Sequence, residues 1–82
     1  METYLLLARS VTHAQQMMRI LERGGIRTKV QRAGGALTKK GCGYSLRISQ
    51  KDYAAAREYL RAAGEKPTKV FLERDGERIE IA

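Results

Sequence analysis

ETYLLLAR, residues 2–9, has apolar side chains at both odd and even positions. A strand with one wet face alternates, so an unbroken run of this kind reads as a central strand covered, at least partly, on both sides. The rest of the chain has to supply its neighbours and its cover. Ser10 follows as a helix cap, with Thr12 as the competing choice. Three residues beyond Ser10 stands His13; three beyond Thr12 stands Gln15, which completes a capping-box pattern. Ala14, Met17, Met18 and Leu21 then fall at i, i+3, i+4 and i+7, the apolar face of a helix. Gly24 and Gly25 end it.

Ile26 to Gln31 alternates, with Ile26, Thr28 and Val30 on one side and Arg27, Lys29 and Gln31 on the other. This predicts a half-buried strand. Residues 32–41 form a connection. Gly43 to Ser49 alternates again, Tyr44, Leu46 and Ile48 against Ser45, Arg47 and Ser49. Ser49 caps a second helix, with Asp52 as a weak acidic variant of the box. Its apolar stripe is Tyr53, Ala56, Leu60 and Ala63, and Gly64 closes it. Pro67 bars continuation. Lys69 to Glu73 is a strand with Val70 and Leu72 inward. Asp75-Gly76 signals a turn, and Arg78 to Ile81 returns as a short extra strand.

The order is β-α-β-β-α-β with a terminal strand. Two apolar helix stripes and a sheet are buried together when both helices pack on one face of an antiparallel sheet. The expected fold class is therefore α+β, ferredoxin-like, with strand order 4-1-3-2, and residues 1–82 read as a single domain. With 82 residues the core is thin. The 43% hydrophobic and 30% charged composition is that of a folded protein. The longest apolar run, Leu5 to Ala8, is far too short to cross a bilayer. No basic-then-apolar leader opens the sequence, and a single cysteine fits a reducing compartment, so a cytoplasmic location is expected.

The chemistry concentrates in GGALTKKGCGYS, residues 34–45. It holds the one cysteine, Cys42, between Gly41 and Gly43, with Lys39 and Lys40 just upstream. In the expected topology the segment before the third strand shares a sheet edge with Ser10, Thr12 and His13 at the start of the first helix. Residues 64–66, after the second helix, arrive at the same edge. A helix N-terminus carries roughly +0.5 of a charge, and two lysines add to it. These would favour thiolate and hold the Cys42 thiol below its ordinary range. The bland alternative is an inert small residue tucked under a loop.

The chain resembles the small bacterial selenium/sulfur carrier-like proteins. The matching features are the short apolar strand, the SVTHA entry at Ser10 to Ala14, and the GGI helix ending at Gly24 to Ile26. They continue with LTKKGCGYSLRI, Leu37 to Ile48, then a second helix and strand. The resemblance covers Glu2 to about Leu72, and its Cys-Gly step before an alternating strand is the most specific part. It implies that Cys42 holds sulfur or selenium as a persulfide or selenosulfide, with donor and acceptor proteins as partners. Having no second cysteine, the chain cannot expel such cargo as an intramolecular disulfide. The resemblance implies a stoichiometric carrier rather than an enzyme, with no cofactor. The Lys39-Lys40 pair, the high net charge and the Asp75-Gly76 tail depart from the family pattern.

Competing readings come from other residues. His13 and Cys42 have the residue types of a base and a nucleophile, but no third orienting residue stands out, and a plain helix-start histidine is the simpler reading. One cysteine and one histidine cannot close a four-ligand zinc site, so no metal is expected. Net charge is +7, from 16 basic and 9 acidic residues. Arg27, Lys29, Arg47 and Lys69 fall on the sheet side away from the core, which suggests RNA. Stacking aromatics are sparse there, Phe71 being the clear one and Tyr4 the other candidate, so nucleic acid is not favoured. Leu5 or Leu7 and Phe71 would face the uncovered side of the sheet and could drive a homodimer through it.

Overall fold

The computed structural model describes residues 2–32 and 43–81. Its elements run β1 (Thr3–Ala8), α1 (Val11–Arg23), β2 (Lys29–Arg32), β3 (Tyr44–Ser49), α2 (Gln50–Ala62), β4 (Lys69–Arg74) and β5 (Glu77–Glu80). The five strands form one sheet in the order β2-β3-β1-β4-β5. Every pairing is antiparallel. This is the expected ferredoxin-like α+β arrangement, with β5 added beyond β4.

β1 is central because it can be. Leu5, Leu6, Leu7 and Ala8 are all buried. Leu6 and Ala8 join Leu46, Ile48, Val70, Met17, Leu21, Ala56 and Leu60 in the core beneath the helices. Leu5 and Leu7 point the other way and form a second, smaller cluster with Phe71. Both are only 2% exposed although neither described helix lies on that face. The register explains part of the cover. Arg47 lies opposite Leu5, and Glu73 lies opposite Thr3. The 2.8 Å bond from Arg47 to Glu73 therefore spans β1 above Leu5, laying the arginine stem over carbon. Of the residues expected to drive a sheet-to-sheet dimer, Leu5 and Leu7 are buried in the single chain and Phe71 is half-buried.

The helix ends are set by local chemistry. Ser10 is the cap of α1, its Oγ accepting the His13 N–H at 3.1 Å; Thr12 lies inside the first turn. α1 ends in a Schellman arrangement: Gly25 N–H donates to the Glu22 carbonyl and Ile26 N–H to the Leu21 carbonyl. α2 ends the same way, through Gly64 to Arg61 and Glu65 to Leu60. Gly25 and Gly64 sit at φ +79° and +76°, where a side chain is strained.

Three expectations need correction. Ser49 occupies the cap position of α2, but its hydroxyl bonds to the Asp52 carboxylate at 3.0 Å instead of a backbone N–H. Ala63 is exposed because it is the cap residue, one step past the stripe. β2 begins at Lys29, not at Ile26. Ile26 is buried by the helix-ending turn against Leu21, which gives an apolar position without strand pairing.

Candidate functional site

The end of β1, the start of α1 and the segment after α2 meet at one edge of the sheet. Thr68 ties this edge together: its N–H and its hydroxyl both donate to the Leu7 carbonyl, at 2.8 and 3.2 Å. The turn that closes α2 then delivers Glu65 to the start of α1. There Glu65 Oε2 lies 3.3 Å from His13 Nε2. His13 is 3% exposed, and its Nδ1 accepts the Arg9 N–H at 3.3 Å. With Nδ1 used as an acceptor, the ring proton belongs on Nε2, the nitrogen that faces the Glu65 carboxylate. Both ring nitrogens are engaged, and neither is free to take a proton from a thiol. In this arrangement His13 is a strut between the two segments.

The same edge receives the described ends of the segment that contains the cysteine. Arg32, the last residue of β2, pairs with Tyr44, and Tyr44 pairs with Ala8 on its other side. Ser10 follows Ala8 by two residues. Gly43 is buried. Lys39, Lys40, Gly41 and Cys42 lie outside the described residues. Ser10 and Thr12 are exposed at this edge, and Ser10 is committed to its cap.

The basic residues considered for nucleic acid separate. Arg47 is held by Glu73 and Lys69 by Glu80, the latter at 3.5 Å. Lys29 is exposed on β2, while Arg27 precedes that strand, beside Glu22 in a shallow pocket at the α1–β2 turn. Tyr4 is on the helix side, stacked on Tyr53 with ring centroids 3.7 Å apart, and is not available to a base on the open face. Phe71 remains there, packed on Leu5 and Leu7. Hydrogen bonds from Arg78 and then Arg47 hold the Glu73 carboxyl below the ordinary carboxylate range. That network neutralises part of the positive face.

Sequence reasoning brought residues 64–66 to this edge, but it did not pick out Glu65 as the partner of His13 and did not find Arg9 or Thr68. The usable signal was Gly64, whose left-handed position after a helix fixes where the next residue goes. Among the described residues, no group of three or more His, Cys, Asp or Glu is placed to hold a metal ion. No described helix is long and apolar enough to cross a membrane.

A family model described as "Putative Se/S carrier protein-like" matches residues 3–72, most of the chain. No curated protein and no solved structure matches it.

Proposed function

The chain belongs to the Se/S carrier-like family, and from this we propose that Cys42 is its carrier thiol, holding one sulfur or selenium atom between a donor and an acceptor protein. The observation behind the reading is that the family match runs through residue 42 and that Cys42 is the single cysteine of the chain. No other side chain present can hold such an atom as a persulfide.

The transfer is a thiol exchange without net oxidation. The Cys42 thiolate attacks the outer sulfur of a donor persulfide, R–S–SH. The new bond is Cys42 Sγ–S, the bond broken is the donor's S–S, and R–S⁻ leaves. An acceptor nucleophile then attacks that outer sulfur and Cys42 leaves as thiolate. A selenosulfide follows the same path. Lys39 and Lys40 next to it in sequence, and the first turn of α1 at the same sheet edge as Tyr44, favour the anionic form. Gly41, next to Cys42 in sequence, adds no side chain to hinder a partner. Neither of these supports requires His13 as a base.

The alkylation rate of Cys42 against pH tests the chemistry. A carrier thiol gives a titration midpoint below about 8.5, the ordinary thiol value. A midpoint at or above it, or a thiol that reacts only after unfolding, removes the activated carrier.

A further inference from the structure

The two helices sit over β1, β2 and β3, and Ala56 and Leu60 of α2 share the core with Val70 of β4. Each helix occupies roughly 10 Å across a sheet whose strands are about 4.8 Å apart. Two helices therefore span about four of the five strands, and the edge strand β5 has no described helix above it. A groove of about 1130 Å³ runs between α2 and β4. Leu60 and Val70 close its floor, and Ala54 and Pro67 line its walls. On its outer side Ile79 pairs with Leu72, and Ile81 donates its N–H to the Val70 carbonyl. Both isoleucines face the helix side, 44% and 46% exposed, among the few large apolar residues in the open.

The rim is basic. Arg9, Arg57, Arg61 and Lys66 line it, against Glu58 and Glu65. The two acids are already engaged, Glu58 by Arg61 and Glu65 by His13. Arg9, Arg57 and Lys66 have no ion-pair partner among the described residues, and Arg57 lies 5.7 Å from the Tyr53 ring centroid. We propose that this groove, with the exposed apolar side of β5 beside it, docks an acidic amphipathic helix of a partner protein. Exposed carbon at Ile79 and Ile81 calls for apolar side chains on the inner face of the guest. The three unpaired cations call for carboxylates along its flanks. A nucleic acid would satisfy the cations but not the isoleucines. The proposal does not depend on what Cys42 carries.

The probe is an acetylated peptide of about four turns, with leucines at i, i+3, i+4 and i+7 and glutamates elsewhere. It is titrated into 15N-labelled protein and followed by NMR. Shifts at Ala54, Leu60, Val70 and Ile79 are expected. Arg57→Glu with Lys66→Glu, both exposed positions, should weaken binding about tenfold or more with the amide spectrum otherwise kept. Cys42→Ser should bind as the parent does, so that a failed carrier and a failed groove give different results. Four outcomes overturn the proposal. They are no shift at millimolar peptide, shifts on the Leu5–Phe71 face instead, equal binding by a peptide with lysine for glutamate, or the same shifts produced more tightly by oligo-dT.

Discussion

His13 is the residue on which the two readings of the sheet edge diverge. As a general base it would need a ring nitrogen directed at a thiol. As a strut it needs both nitrogens directed at the protein, and that is the observed arrangement, with Arg9 N–H on one side and Glu65 on the other. His13→Ala leaves a buried hollow, an unpaired N–H and a carboxylate without its partner. It should cost about 2–3 kcal/mol in urea unfolding. Glu65→Gln keeps an acceptor at a partly exposed position and should cost about 1 kcal/mol or less. If His13→Ala unfolds at the parental urea midpoint, the strut is wrong. The helix-start position of His13 was legible in the sequence, because Ser10 three residues before it is a cap residue. Its partner was legible only as a segment, residues 64–66, and not as Glu65 itself. Glu65 comes from the far end of the chain, and only the antiparallel path of α2 brings it back.

Elements were the most legible level, and the reasons are physical. β1 showed as a central strand because two-sided burial removes alternation, and β3 and β4 showed because one-sided burial imposes it. β2 was misjudged at its start because a helix-ending turn buries Ile26 as effectively as a strand would. The glycines of those turns can be tested directly. Gly25→Ala and Gly64→Ala each place a Cβ at a positive φ with open space around it, so the cost is backbone strain alone, about 1–2 kcal/mol each. Gly24→Ala differs, since the added carbon would land on the Tyr59 ring, which must swing outward; the tyrosine environment should change along with stability. The open face joins three strands through Glu73. Its carboxyl is held low by Arg78 and Arg47, so its folded state releases the proton more readily than the unfolded chain. The stability it contributes is present above the ordinary carboxylate range and is lost as pH falls through the lowered folded value. Urea midpoints from pH 6 to pH 2 should therefore fall less steeply in Glu73→Gln than in the parent. Equal slopes would mean that the network adds nothing.

At the scale of the whole molecule, ion pairing differs from place to place. On the face of Leu5, Leu7 and Phe71, Arg47, Lys69 and Arg78 are tied to acids, while Arg9, Arg57 and Lys66 stand without ion pairs among the described residues around the groove beside α2. The net charge of +7 was plain from composition, but this pairing depends on which strands become neighbours and could not be read from the order of residues. The cysteine is the reverse case. Its two glycines and two lysines stand out in sequence, and the fold adds that the strands on either side of its segment end at the edge where α1 begins. The carrier reading is tested most directly by intact-protein mass spectrometry. The protein is incubated with a cysteine desulfurase and cysteine, without reductant. The account predicts a gain of one sulfur atom, about 32 Da, reversed by thiol reductant and absent in a folded Cys42→Ser. An unchanged mass in the parent protein, with the desulfurase shown to be turning over, would contradict it.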